Sequence, residues 1–209
     1  MEKDRRSVLL ERIKDVRNII FDMDGTLIDT AKATVPICLQ CAEDFGLPKL
    51  NPNYIRELIG WPNPEFYYRM YPDFPRDLID FYGEEVEHKE ARYIETLGKD
   101  ILFPGVQELL NVLKSNGFYM AIASTGSQEH VDVCLGASGI CSFFDTVQCG
   151  EPDKVEMVRR IRQAAPKGEW LLVGDKEKDS TAGNKNNMIT IAAKYGFGTQ
   201  EEFQTFDLW

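Results

Sequence analysis

Short apolar runs that each stop at a polar or acidic residue recur along the chain, and they constrain its fold more than any other feature. Five such runs, rich in β-branched and aromatic residues, are predicted to be β-strands: 16–21, 118–123, 145–148, 170–173 and 188–193. Segments with helical spacing of apolar residues separate most of them. Strands that alternate with helices indicate βαβ units. We therefore predict an α/β fold in which helices cover both faces of a parallel sheet.

Residues 31–102 depart from this alternation and carry no convincing strand. Prolines punctuate this stretch, and three segments in it have helical character: 34–45, 53–59 and 76–97. We predict two domains. Residues 1–30 and 103–209 form the core domain, and residues 31–102 form a helical cap domain inserted after the first strand.

Charge and hydropathy exclude several classes of function. The chain has 24 basic and 34 acidic residues, a formal net charge of -10, and no basic run, so a nucleic acid partner is not expected. Its apolar runs fall far short of the roughly 20 residues that a membrane-spanning helix needs, so no membrane partner is expected. Residues 1–17 lack the apolar core of a signal peptide, which favours a cytoplasmic location.

The five cysteines form an odd set without the spacing of a disulfide framework, as expected of reduced thiols. Cys38 and Cys41 make a single CxxC in a helical segment, and we interpret them as buried helix residues. The chain has only two histidines, His88 and His130, and neither follows a nucleophile elbow. A Ser-His-Asp or Cys-His site is therefore not expected.

Two pairs of acidic residues follow predicted strands. Asp22 and Asp24 end the first strand, with Gly25 after them, and Asp175 and Asp179 follow the strand at 170–173. Since such strand ends can be neighbours in a parallel sheet, the four carboxylates can converge on one Mg²⁺. Each pair also has a structural explanation, because Asp before Gly is a common turn and Asp179 fits a helix N-cap.

A third strand ends in Ser124-Thr125-Gly126, which would place hydroxyl and backbone N–H groups at a helix N-terminus, a natural cradle for phosphate. An ordinary Ser/Thr N-cap is the alternative. Lys154 stands where a helix begins, at the positive end of the helix dipole, and an anionic partner would explain it there.

These pieces, in this order, resemble the haloacid dehalogenase-like hydrolases. Asp22-Met-Asp24-Gly-Thr26 is similar to the first motif of that family, Ser124 to the second, Lys154 to the third, and Gly174-Asp175 with Asp179 to the fourth. The resemblance implies a Rossmann-like three-layer α/β/α core, and the helical insert is similar to the cap of the phosphoglycolate phosphatase and β-phosphoglucomutase subfamily. Residues 193–202 resemble the tail that follows the fourth motif in these phosphatases.

The resemblance implies a hydrolase that acts on a phosphoric monoester. Asp22 would attack phosphorus to give an aspartyl-phosphate, and Asp24 would serve as general acid and then general base. Lys154 would keep Asp22 ionised. The implied substrate is a small phosphomonoester metabolite, similar to phosphoglycolate or a sugar phosphate.

The same resemblance assigns the binding residues. Mg²⁺ would be held by Asp22, the backbone carbonyl of Asp24 and Asp175, with Asp179 either as a further ligand or as a residue that supports the ligands. The phosphoryl group would be held by Ser124, Thr125, Gly126 and Lys154.

Other functions within the family stay open. A β-phosphoglucomutase-like phosphomutase is less favoured, because Thr34 stands where such enzymes usually carry histidine. A Schiff-base enzyme would need Lys32 or Lys49, which match no known position. A non-catalytic binding protein is the third alternative, since Lys176 and Lys178 flank the acids of the fourth motif.

Specificity is expected to lie in the cap. Three basic residues are candidates to meet a second anionic group of the substrate: Lys49, Arg69 and Arg92. A monomer or weak homodimer is the expected assembly.

Overall fold

The computed structural model describes residues 2–209 and is built on a five-stranded parallel sheet. The strands are β1 Val16–Phe21, β2 Tyr119–Ala123, β3 Thr146–Gln148, β4 Glu169–Gly174 and β5 Ile189–Ala192. Their order across the sheet is β3-β2-β1-β4-β5, and every neighbouring pair is parallel. All five predicted strands are present, and the predicted α/β class is confirmed.

Ten α-helices surround or interrupt the sheet in the described residues. They are α1 Glu2–Lys14, α2 Ala31–Asp44, α3 Pro52–Leu58, α4 Glu65–Met70, α5 Arg76–Leu97, α6 Val106–Ser115, α7 Gln128–Ser138, α8 Lys154–Ala164, α9 Glu177–Lys185 and α10 Gln200–Phe203. None of the helices in this part of the chain has the length and apolar character to cross a bilayer.

Alternate residues of each strand point to opposite sides of the sheet, and both sides are buried by packed side chains. On one face Ile20 and Leu172 pack in a cluster with Val158 and Ile161 of α8. On the other face Ile19 and its neighbours join a larger cluster that extends into α6, α7 and the helices between β1 and β2. These two cores give the three layers of a Rossmann-like α/β/α sandwich.

The strand register aligns the carboxyl ends of three adjacent strands. Phe21 at the end of β1 lies opposite Ile122 of β2 and Val173 of β4. The residues that follow these positions therefore emerge at one edge of the sheet. This edge is where ligands bind in open parallel sheets.

Helices α2–α5 occupy the chain between β1 and β2, as the predicted helical segments required. Tyr82 of α5 is fully buried and donates its hydroxyl to the Cys38 carbonyl of α2 at 2.9 Å. Tyr67 and Tyr71 pack edge-on against the same ring. Cys38 and Cys41 are buried free thiols, as expected. The boundaries of the cap and core domains remain a prediction.

Candidate active site

Lys154 joins two buried carboxylates at the carboxyl edge of the sheet. It is the first residue of α8, and its Nζ contacts Asp22, which directly follows β1. The same Nζ lies 2.5 Å from Asp179 Oδ1. All three residues are at most 4% exposed. Burial, reinforced by the negative charge of Asp179, raises the pKa of Asp22 to about 6, although Lys154 opposes this shift.

Asp179 also orders the loop that carries Asp175. Asp179 Oδ2 accepts the backbone N–H groups of Asp175 at 3.1 Å and Lys176 at 2.9 Å, so it is the capping residue inside the first turn of α9. Gly174 makes this close approach possible, because a Cβ there would lie 2.3 Å from Asp179 Cβ. Oδ2 of Asp179 is thus engaged by backbone N–H groups, and its Oδ1 is ion-paired with the Lys154 ammonium.

Asp175 is fully buried beside Gly25 and the segment after β5. Its Oδ2 accepts the Phe197 N–H at 2.7 Å. Its Oδ1 is buried without a hydrogen-bond partner among the described residues. Gly25 adopts φ +85°, and a Cβ there would lie 2.2 Å from Asp175 Oδ2. Burial, together with the charges of Asp22 and Asp179, raises the pKa of Asp175 well above its ordinary value.

Asp24 follows β1 by three residues and borders a cavity. Its Oδ1 accepts the Thr30 hydroxyl and His130 Nε2, each at 2.9 Å. Burial raises the pKa of Asp24, but the charge and hydrogen bond of His130 outweigh burial, so the pKa lies below its ordinary value. Asp24 is therefore held as a carboxylate beside a histidine whose own pKa, despite burial, is raised well above its ordinary value by Cys134 and Asp24.

The residues after β2 form a turn at the same edge of the sheet as Asp22 and Asp24. Ser124 is buried, and its Oγ accepts the Gly126 N–H at 3.1 Å. Thr125 and Gly126 border the cavity. Lys178 reaches over this turn and donates to Thr125 Oγ1 at 2.8 Å and to the Gly60 carbonyl at 2.9 Å. Lys178 therefore faces the site and does not point to solvent.

The buried acidic group fits a divalent cation. Oxygen atoms of Asp22, Asp175 and Asp179 lie within 4.8 Å of one another. If all three carboxylates are ionised, they exceed the single ammonium of Lys154 by two negative charges in a buried site, and a cation would offset that cost. The unpartnered Oδ1 of Asp175 offers a free oxygen ligand, the type that Mg²⁺ prefers.

A cavity of about 820 Å³ opens from Asp24 toward the helices between β1 and β2. Side chains of α5, α7 and the segment around Trp61 line it. Asp22, Lys154 and Asp175 lie deeper and do not line the cavity. The cavity therefore offers a substrate-sized space that ends at Asp24.

The structure brings the predicted site residues together at one edge of the sheet. Asp22, Asp175 and Asp179 form one group with Lys154, and Asp24 borders the cavity with Thr125 and Gly126. Sequence reasoning missed His130 and Lys178 as members of the site. His130 follows Ser124 by six residues, at a position that faces back toward the turn once α7 forms, and this spacing was the available signal. In the sequence, Lys178 stood out only as a lysine that flanks the acids of the fourth motif.

Residues 19–193 match the family model described as haloacid dehalogenase-like hydrolase. The chain therefore belongs to the haloacid dehalogenase-like hydrolases, and the predicted family and hydrolase class are confirmed.

Relatives extend over nearly the whole chain. A phosphoglycolate phosphatase of Synechococcus elongatus is 27% identical over 196 residues, which cover 88% of this chain and 86% of the relative. Pyrophosphatase PpaX of Halalkalibacterium halodurans is 25% identical and covers 92% of this chain and 90% of its own. A crystal structure from Haemophilus somnus, described as a predicted phosphoglycolate phosphatase, has a TM-score of 0.81 at 22% identity, covering 92% of this chain and 94% of that one.

Proposed function

We propose that this hydrolase is a Mg²⁺-dependent phosphatase that cleaves a small phosphomonoester through an aspartyl-phosphate on Asp22. The observation that carries the proposal is the buried Lys154 bridge between Asp22 and Asp179, set next to the cavity that ends at Asp24. The phosphatase names of the relatives support the same reaction class.

Asp22 is the proposed nucleophile. Its carboxylate oxygen forms a bond to phosphorus while the bond from phosphorus to the leaving alcohol oxygen breaks. Lys154 supports this role because its positive charge favours the ionised form of a carboxylate that burial disfavours. The same ammonium reduces the repulsion between that carboxylate and an anionic phosphate.

Asp24 is the proposed proton carrier. It borders the cavity, whereas Asp22 lies deeper, so a leaving oxygen that points into the cavity meets Asp24. The His130–Asp24 pair holds a proton between Nε2 and Oδ1, and this pair supplies the proton that the leaving alkoxide takes up. In the second half-reaction Asp24 accepts a proton from the water that attacks phosphorus and releases Asp22.

Residues after β2 and on α9 are proposed to hold the phosphoryl oxygens. Ser124, Thr125 and Gly126 form a turn before the N-terminus of α7, which favours an anion. Lys178 adds a positive charge that lowers the pKa of both Asp22 and Asp24. Preorganised donors of this kind stabilise charge on a transferring phosphoryl group.

Mg²⁺ is the proposed cofactor, and it would supply charge neutralisation at the phosphate oxygens when bound. Asp22, the Asp24 backbone carbonyl and Asp175 would hold it. Asp179 is proposed to act from beside the ion, because both its oxygens are already engaged by Lys154 and by backbone N–H groups. The sequence left open whether Asp179 binds the ion directly or supports its ligands, and these contacts favour the second role.

Residues 31–102 are proposed to act as the cap that covers the site, since α5 and the Trp61 segment close one side of the cavity. The cytoplasm is the proposed compartment, supported by five free thiols. A mutase role is not supported by residue 34, because the Thr34 hydroxyl donates to Glu90 where a mutase would present histidine.

Phosphate release from a panel of small phosphomonoesters, with Mg²⁺ and then with EDTA, tests the proposal. We expect turnover that requires Mg²⁺ and that Asp175→Asn lowers by at least about tenfold, as loss of an ion ligand does. Glu95→Gln, an exposed change of the same type on α5, serves as the matched control. Equal turnover in EDTA would contradict the metal-dependent mechanism.

A further inference from the structure

The proposed substrate site has ends of opposite charge. At the phosphate end stand the ammonium groups of Lys154 and Lys178. On the cavity side of Asp24, α5 contributes Glu84, Glu87 and Glu90 to the lining, and Glu90 interacts with the charges of both His130 and Asp24. Residues three apart on a helix lie on one face, so these carboxylates form a row along the cavity wall.

The acidic end has no basic residue of fixed charge to balance it. Glu129 of α7 adds a fourth carboxylate, and among the described lining residues there is no lysine or arginine. His88 and His130 also line the cavity, and His130 is paired with Asp24. Asn63, a neutral lining residue, donates a hydrogen bond to Glu87 at 2.6 Å. The carboxylates at this end therefore face the cavity without a compensating lysine or arginine.

None of the basic residues considered for a second substrate anion lines this cavity. Lys49, Arg69 and Arg92 are all outside its wall. Arg69 is instead ion-paired with Glu65 at 3.0 Å, and its guanidinium lies over the Trp61 ring, 3.5 Å from the ring centre. The lining of this cavity therefore gives no support to the expectation that one of them meets a second anionic group.

The glutamates are close enough to act on one another. Burial raises the pKa of Glu87, and the charges of Glu129 and Glu84 add to this shift, while His130 opposes it. Glu90 is only 8% exposed, and its partner is the neutral Thr34 hydroxyl. A cation placed among these carboxylates would reduce their mutual repulsion and pair with them.

We propose, on the basis of the phosphatase function proposed above, that the substrate is the phosphomonoester of an amino alcohol. Its phosphate lies beside Lys178, below the cavity, and its ammonium group lies in the cavity against the row formed by Glu84, Glu87 and Glu90. Phe66 and Tyr67 also line the cavity and provide apolar and aromatic surface for the carbon chain and for an alkylammonium group. A substrate with a second anion, such as phosphoglycolate, meets the same carboxylates and is disfavoured.

Three substrates of similar length but different charge test this inference. Phosphoethanolamine carries an ammonium group, phosphoglycolate carries a carboxylate, and propyl phosphate carries neither. We expect kcat/KM with Mg²⁺ to be highest for phosphoethanolamine and lowest for phosphoglycolate. The double variant Glu84→Gln/Glu87→Gln should reduce the ratio of phosphoethanolamine to propyl phosphate about fourfold, since each exposed ion pair contributes a factor of roughly two. Glu95→Gln should leave that ratio unchanged.

Charge reversal keeps the test independent of folding. Glu87→Lys should raise kcat/KM for phosphoglycolate relative to phosphoethanolamine, a gain that an unfolded variant cannot show. Preference for phosphoglycolate by the unmodified protein, or ratios that ignore these substitutions, would overturn the inference and leave the phosphatase function intact. Absence of Mg²⁺-dependent phosphate release from all three substrates and from p-nitrophenyl phosphate would overturn the proposed function and this inference with it.

Discussion

Replacing Lys154 by methionine removes the one ammonium that contacts both Asp22 and Asp179. The lysine is 3% exposed and lies 2.5 Å from Asp179, so the pair is shielded from water. Breaking such a buried pair by removing one partner costs about 3–5 kcal/mol. For a chain of this size, each kcal/mol lowers Tm by about 2–4 °C, so the expected loss is about 6–20 °C.

The assay is thermal unfolding in EDTA at pH 7, with Lys114→Met as the matched control. Lys114 forms an exposed ion pair with Asp145 at 3.1 Å, and its loss should cost no more than about 1 kcal/mol. The deficit of Lys154→Met should shrink at pH 5. Because the pKa of Asp22 is raised to about 6, an Asp22 carboxyl that lacks its lysine is protonated at pH 5. The variant then no longer buries an unpaired charge, so it regains the stability that it loses as pH rises to 7. A Tm loss no greater than that of Lys114→Met would refute the assigned geometry of this site.

Three further predictions concern the acids and the loop after β5. Burial raises the pKa of Glu90 above 4.5, so the stability contributed by its protonated form is present below pH 4.5 and is lost as pH rises. The Tm of Glu90→Gln should therefore rise relative to that of the unmodified protein between pH 5 and pH 8, and a constant Tm difference would contradict this. Mg²⁺ should raise the Tm of the unmodified protein, and Asp175→Asn should remove most of that shift, whereas an undiminished shift would place the ion elsewhere. Gly198→Ala should lower Tm, because its Cβ would lie 1.8 Å from the Asp175 carbonyl oxygen; the control Gly136→Ala meets nothing within 4 Å, and equal Tm values would count against the close packing of this loop.

The strands were predictable because a parallel sheet covered on both faces needs contiguous apolar runs. Helix α5 was predicted over its observed span, 76–97, by its long helical segment. Helix α4, Glu65–Met70, was not predicted, since six residues are too few to show periodicity and Pro62 and Pro64 stand beside it. Length and flanking residues thus decided which elements the sequence could reveal.

The site was predictable only where its residues directly follow strands. Asp22, Ser124 and Asp175 occupy such positions, and the register of adjacent strands brings these positions to one edge. The contact between Asp24 and His130 joins residues 106 apart in the chain, and it depends on how α7 is placed after its turn. The spacing of His130 from Ser124 indicates only that His130 lies near this turn, and its pairing with Asp24 leaves no local pattern in one sequence.

The charge of the cavity was also beyond prediction from the sequence. In the sequence, the spacing of Glu84, Glu87 and Glu90 is typical of the polar surface of an amphipathic helix, which is the commonest place for glutamate in a helix. Only the packing of α5 beside α7 shows that these carboxylates share a cavity with Asp24. Specificity therefore emerges from helix placement, whereas the reaction class follows from strand ends.

Trapping the phosphoryl group on the protein tests the central claim most directly. The protein is mixed with phosphoethanolamine or p-nitrophenyl phosphate and Mg²⁺, quenched in acid within one turnover, digested and examined by mass spectrometry. A phosphoryl group on the peptide that contains Asp22, present in the unmodified protein and in Asp29→Asn but absent from Asp22→Asn, is the predicted result. Full turnover by Asp22→Asn, or a phosphoryl group on another peptide, would contradict the assignment of Asp22 as the nucleophile.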